Sequence, residues 1–238
     1  MARTGRKFYV KDTSKDVHTQ FGYVKAKELT GKPGTVLKTN MDKELFLFKP
    51  SFIDAYEKIS RLAQIIPLKD IGSIITVTGL NNKSIIVDAG TGSGALACFM
   101  ALHAKKVISY DIRQDHQEVA KRNMEFLGLK NIEFRYQDIS GKIYEKDVDI
   151  ITLDLPEPWE AINSCTKALK PGGFIVSYSP CIPQVQDFVN NVLENKHLIF
   201  IKTLEILERE WEVNGRKIRP RTQGIGHSGF LTFIRKLY

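Results

Sequence analysis

The chain has 238 residues, 42% of them hydrophobic, with 35 Lys and Arg against 27 acids and a formal net charge of +8. That length holds one large α/β domain plus a small appendage, and the basic balance suits a polyanionic partner such as RNA. Three scattered cysteines (Cys98, Cys165, Cys181) without a CxxC pair argue against a disulfide scaffold and a metal site; no apolar run approaches the ~18 residues of a bilayer span, and the basic start lacks the apolar core of a secretory signal, so a cytoplasmic enzyme is expected.

Residues 1–50 predict a small β module, with strands over 8–10, 17–24, 35–38 and 44–49 and turns over 31–34 and 39–42. Ser51 is placed to cap a helix carrying Ile53, Tyr56, Ile59 and Leu62 at helical spacing, and a second helix is expected over 68–77. From there strands over 84–88, 106–111, 132–136, 148–153 and 174–178 alternate with helices over 95–102, 115–127 and 159–169. Such alternation implies right-handed βαβ units and a parallel, Rossmann-like α/β sheet spanning a domain of residues 51–238. A proline-started helix over 183–195 precedes two strands, 198–212 and 229–235, expected to close the sheet as a hairpin around a 214–227 loop.

The first strand of the large domain runs into Asp88-Ala89-Gly90-Thr91-Gly92-Ser93-Gly94. Glycines at a strand-to-helix turn allow close approach of backbone to ligand. The spacing here is G-x-G-x-G rather than the G-x-G-x-x-G of a dinucleotide loop, and Asp88 disfavours a phosphate while suiting a cation. In a doubly wound sheet, ligands bind outside the carboxyl ends of the strands. Those ends deliver Asp88, Asp111, Asp138 and Asp154. Asp111 is spaced to accept ribose hydroxyls; Asp138 can accept a hydrogen bond from an adenine exocyclic amine, with His116 in the first turn of the next helix nearby. Asp154 faces the reacting centre. The two prolines around Glu157 in Asp154-Leu155-Pro156-Glu157-Pro158-Trp159 make a rigid loop at that edge. Basic clusters at Arg3, Arg6 and Lys7 and at Arg216, Lys217, Arg219 and Arg221 suit a phosphate backbone.

These residues resemble the tRNA (adenine-N1)-methyltransferases that act in the T-loop, at position 58 and in the archaeal branch also at 57. The likeness covers the whole chain: AGTGSGAL at Ala89 to Leu96, the strand end Tyr110-Asp111, DLPxPW at Asp154 to Trp159, LKPGG at Leu169 to Gly173, YSPC at Tyr178 to Cys181, and HxGFL at His227 to Leu231. The resemblance implies a class I fold that uses S-adenosyl-L-methionine. It places cofactor contacts at Gly90, Gly92, Ser93, Gly94, Ala95, Leu96, Asp111, His116, Asp138, Ile139, Asp154 and Gln64, and makes Asp154 also the catalytic carboxylate. Arg216, Arg219, Arg221 and His227 are expected to meet tRNA, the partner, in a homotetramer, with no metal and no membrane. Relatives carry an aromatic residue or His before Pro-Lys-Asp, as in QIIYPKD; this chain reads Gln64-Ile65-Ile66-Pro67-Leu68-Lys69-Asp70, so a ring that would hold the base is missing there. Two rivals are a methyltransferase of another RNA, a protein or a small molecule, and a non-catalytic RNA-binding subunit. The latter should have lost the glycines and strand-end acids that this chain keeps.

Overall fold

The computed structural model describes residues 1–62, 64–224 and 226–238, and the chain divides into two compact units, Met1–Ile59 and Ser60–Tyr238. In the first, β1 (Val17–Thr19) pairs with β2 (Gly22–Val24) and β3 (Val36–Lys38) with β4 (Glu44–Phe46), both antiparallel. Val24, Leu29, Leu37 and Leu45 form its buried centre. Three expectations change here. The 17–24 stretch folds back on itself as a hairpin, the strand expected over 44–49 ends at Phe46, and residues 8–10 lie outside any strand, with Phe8 and Val10 packed on the apolar centre.

Helix α1 (Phe52–Tyr56) starts at Ser51, whose N–H and hydroxyl both donate to Asp54 (2.9 and 2.6 Å). A salt bridge from Lys7, together with Ser51, holds the Asp54 carboxyl well below the usual range. The helix stops well short of Leu62. The Ser60 N–H and C=O, which a continuing helix would use internally, are both bonded to the side chain of Asn123 (2.9 Å each).

The second unit contains α2 (Leu68–Thr78), β5 (Ile85–Ala89), α3 (Ala95–Ala101), β6 (Lys106–Asp111), α4 (Gln114–Phe126), β7 (Ile132–Tyr136) and β8 (Val148–Leu153). A 3-10 turn (Pro158–Ala161) then leads into α5 (Ile162–Ala168), β9 (Leu169–Ser179), α6 (Ile182–Leu193) and β10 (Leu198–Glu205). The last strands are β11 (Trp211–Asn214), β12 (Lys217–Pro220) and β13 (Phe230–Lys236). Seven of these strands form one sheet in the order β10-β13-β9-β8-β5-β6-β7; β5 to β9 are parallel, and β13 runs antiparallel between β9 and β10.

Successive residues of a strand face opposite sides, and here both sides are covered. Ile86, Val107, Ile150 and Val176 pack with Ile71 and Ile74 of α2 and Leu96 and Met100 of α3. Val87, Ile108, Ile151 and Ile175 pack with Ile162 and Cys165 of α5 and Phe188 and Val192 of α6. This explains why the strands read as continuous apolar runs.

Strand β9 begins at Leu169, five residues early, and a register shift opposite Val148 to Ile150 absorbs Lys170 to Gly173. The strand expected over 198–212 ends at Glu205, because its partner β13 begins at Phe230 directly opposite. Trp211–Asn214 pairs instead with Lys217–Pro220 in a separate hairpin with Arg216 in its tip; Ile225, inside the expected 214–227 loop, lies outside the described residues. The chain crosses from β5 to β6 and β7 on one side, then returns to β8 and β9 on the other. The crevice beyond the carboxyl ends of β5 and β8 is therefore the topological switch point.

Candidate active site

The turn after β5 is stitched to both neighbouring strands. Gly90 and Thr91 donate their N–H groups to the Tyr110 carbonyl (3.0 and 3.3 Å), and Asp154 donates its own to the Ala89 carbonyl (2.9 Å). Gly90 has φ +85°, and a Cβ there would overlap the Asp154 carbonyl oxygen. Only glycine lets this turn and the Asp154 backbone approach so closely.

Asp88 is not a strand-end acid facing a ligand. It lies one residue inside β5 and is 1% exposed, accepting hydroxyl protons from Ser109 and Thr152 (both 2.7 Å). Since Ser109 donates to Asp88, the Thr91 hydroxyl 2.7 Å away donates to Ser109, so the glycine loop hangs on this buried chain. Burial pushes the Asp88 carboxyl up to about 6 against the two hydroxyls. Its part is support from beneath the loop.

Asp111 ends β6. Its Oδ2 accepts from Gly92 N–H (3.0 Å) and His116 Nδ1 (3.1 Å), and its Oδ1 from Arg113 N–H (2.9 Å). Of roughly four lone-pair positions on a carboxylate, one stays open for a ribose hydroxyl. A second opens only if His116 turns away. Asp138 is exposed at the crevice, held by Ser140 N–H to Oδ1 (2.8 Å). The Ile139 side chain is buried, and its carbonyl accepts from Ser164.

Gly90, Asp111, Asp138 and Ile139 line a cavity of ≈ 240 Å³ at the switch point. Other lining residues escaped the sequence reading: Ile112, Gln137 and Glu160. Ile112 is 66% exposed, an apolar side chain that would cover a purine face, and its place directly after Asp111 was the available signal. Gly92, Ser93 and Gly94 continue the turn, with the Ser93 carbonyl held by Asn123 (2.8 Å). Ala95 and Leu96 bury their side chains in the core, so they offer a ligand only backbone. Gln64 is exposed and does not line the cavity.

Asp154 follows β8 directly. Its side chain meets solvent on one side while protein surrounds the carboxyl on the others. Desolvation by that surround, and then the Asp88 carboxylate, push the carboxyl up to about 7. Water on the open side screens part of the shift, so its upward direction carries the chemistry.

The basic tail is less free than its sequence suggests. Arg219 pairs with Glu212 (3.1 Å), Arg221 with Glu210 (2.7 Å) and Lys217 with Glu212 (2.8 Å), all on exposed surface. Arg216 is exposed, with no acidic partner among the described residues. The His227 ring bonds Glu205 (2.7 Å) and the Pro180 carbonyl (2.8 Å), which together raise its pKa, the carbonyl most. It fastens the start of β13 to the end of β9. Pro67 caps α2 with extended backbone (φ −62°, ψ 152°), and its pyrrolidine ring is the only one at that position, with no aromatic face to stack on a base.

The doubly wound sheet with its antiparallel last strands, and an acid-lined crevice at the switch point, define a Rossmann-like methyltransferase fold. The sequence model of the family described as "tRNA methyltransferase complex GCD14 subunit" matches residues 57–228. A tRNA (adenine(57)-N(1)/adenine(58)-N(1))-methyltransferase from Methanocaldococcus jannaschii is 34% identical over 97% of this chain and 92% of its own. A tRNA (adenine(58)-N(1))-methyltransferase of Thermus thermophilus is 33% identical over 87% and 83%. Among solved structures, a SAM-dependent O-methyltransferase of Thermotoga maritima superposes with TM-score 0.88 at 30% identity, covering 95% of this chain and 87% of its own. The tRNA (m1A58) methyltransferase of Aquifex aeolicus gives 0.81 at 25% identity, covering 94% and 90%. The chain belongs to this tRNA methyltransferase family.

Family and fold imply S-adenosyl-L-methionine as cofactor, and the cavity fits it. Asp111, Asp138, Glu157 and Glu160 line the cavity, while no Lys or Arg does so among the described residues. Such a lining favours a nucleoside bearing a positive sulfonium over one bearing phosphates. Among the described residues no helix is long and apolar enough to cross a membrane, and no cluster of three or more His, Cys, Asp or Glu could hold a metal ion.

Proposed function

We propose that this chain methylates N1 of adenine in the T-loop of tRNA, at position 58 and also at the neighbouring 57 named for the M. jannaschii relative. The observation that carries the reading is the junction of Gly90 and Asp154: the cofactor turn touches the backbone of a carboxylate whose affinity for protons is raised. Gly90 to Leu96 cradle the cofactor through backbone, Asp111 takes a ribose hydroxyl, and Asp138 and Ile139 meet the adenine. When bound, the cofactor supplies an electrophilic methyl group on its sulfonium.

Adenine N1 already holds an in-ring lone pair, so no base is needed to create the nucleophile. Positive charge develops on the ring as the new bond forms. Asp154, ionised, accepts from the exocyclic amine and stabilises that charge, or takes the amine proton once transfer is complete. Alignment supplies much of the remainder, and the target base must leave its stack to reach the crevice. Arg216 meets phosphate directly. Lys217, Arg219 and Arg221 exchange exposed, weak ion pairs for phosphate contacts. A homotetramer and a cytoplasmic location complete this reading.

Incubating the protein with unmodified tRNA transcript and labelled S-adenosyl-L-methionine, followed by nucleoside mass spectrometry and position mapping, tests it. N1-methyladenosine in the T-loop is expected. Label confined to another position, to protein or to small molecules would overturn the acceptor assignment.

A further inference from the structure

Lys69 and Asp70 open α2 and have no part in the chemistry above. The Asp70 side chain is fully buried (0% exposed) and that of Lys69 nearly so. A buried carboxylate persists only where it is paired and hydrogen-bonded. Lys69 Nζ donates to both Asp70 oxygens (2.8 and 2.9 Å), and the Ser228 hydroxyl donates to Asp70 Oδ2 (3.0 Å). Lys69 Nζ also donates to that hydroxyl (2.7 Å). Three side chains thus close a triangle between the start of α2 and the segment leading into β13.

Apolar residues of similar volume stabilise a core as well as a buried ion pair does, so the triangle is a poor means of mere packing. What it adds is direction. The Ser228 carbonyl accepts from the Tyr178 hydroxyl (2.7 Å). A Cβ on Gly229 would overlap the Tyr178 ring, and His227 is bound to the Pro180 carbonyl two residues beyond that ring. Each residue from His227 to Gly229 therefore fixes the end of β9. Leu153 and Ser177 are paired across β8 and β9, so Tyr178 and Asp154 are neighbours at the same sheet edge. The charges of Asp70 and Asp154 both raise the pKa of the Tyr178 phenol, after the larger effect of burial.

We propose that Lys69, Asp70 and Ser228 are positioning residues for the acceptor base: the ion pair fixes Ser228, Ser228 fixes Tyr178, and the tyrosine ring sets the wall of the slot beside Asp154. None of the three touches the reacting atoms. The inference rests on the assignment of Asp154 to methyl transfer.

Ser228→Ala is the cleanest test, since it leaves the Lys69–Asp70 pair intact. A misplacement of about 1 Å costs about 100-fold in rate, so kcat for tRNA methylation is expected to fall roughly 10- to 100-fold. The KM for tRNA, dominated by phosphate contacts, and the cofactor Kd should stay within about twofold. Ser228→Thr, which keeps the hydroxyl, should restore most of kcat; Asp70→Asn should repeat the kcat-selective loss. Adding Tyr178→Phe to Ser228→Ala should cost less than the separate losses combined, because both act through one wall. A kcat within twofold of wild type in folded Ser228→Ala, no rescue by threonine, or a parallel loss of cofactor affinity would overturn the positioning role alone. A wild-type protein that forms no N1-methyladenosine would overturn the methyl-transfer reading, and this inference with it.

Discussion

Replacing Asp154 with asparagine should make the protein more stable while disabling it. The carboxyl is pushed from an ordinary 3.8 up to about 7 by desolvation and by Asp88. Three units correspond to about 4 kcal/mol at full burial, and solvent on its open side reduces this to about 1–2 kcal/mol. Because the folded-state value is raised, the protonated acid's stabilisation is complete below about pH 4 and is lost as pH rises toward 7. Asparagine loses nothing over that range, and Asp88 titrates in both proteins. The melting-temperature difference between variant and wild type should be near zero at pH 4. At pH 8 it should reach roughly 3–6 °C in the variant's favour, at about 2–4 °C per kcal/mol for a chain of this size. Turnover on tRNA should drop about 100- to 1,000-fold, with cofactor affinity little changed. Paired thermal melts across pH, calorimetry with S-adenosyl-L-methionine and single-turnover methylation measure all three. A variant no more stable at pH 8 than wild type, or one that keeps its turnover, would refute the reasoning.

The same ionisation should appear in kinetics: kcat/KM for tRNA rises with pH through about 7 as Asp154 becomes a carboxylate, and a profile flat from pH 6 to 8 would contradict its role. Gly90→Ala forces a Cβ into the Asp154 carbonyl at φ +85°, so cofactor binding by calorimetry should weaken at least about tenfold and the melting temperature should fall. Asp111→Ala should weaken cofactor binding by a similar factor while leaving kcat at saturating cofactor largely intact, and an unchanged Kd would exclude its ribose contact. Arg216→Ala should lower the slope of log tRNA affinity against log salt by about one, read from filter binding between 50 and 200 mM salt; an unchanged slope would remove it from the RNA interface.

Much of the large unit was legible because its strands are covered on both faces and its helices on one, so period and punctuation agree with burial. The rule about strand ends led to Asp111 and Asp138, which line the cavity, and equally to Asp88, which is buried beneath the loop. What escaped was tertiary. Nothing local shows that Asp88 turns inward to two hydroxyls while Asp154 is exposed, since both come at the end of apolar runs. The break after Glu205 was invisible because strand length depends on where a partner 25 residues away begins. Arg219 and Arg221 looked like free cations until the hairpin brought Glu210 and Glu212 beside them. The pairing of Asp70 with Ser228, 158 residues apart, has no sequence signature at all.

The contact between Gly90 and Asp154 also bears on how such a protein can diversify. A drift of the Gly90 turn would displace the Asp154 carboxylate in the same step, so those two stretches must evolve as one inheritance. The opposite flank, built from α2, the end of β9 and residues 227–229, is mounted on other parts of the chain. New acceptors are therefore most readily gained by remodelling that flank, with the methyl-donor side left as an unaltered cassette.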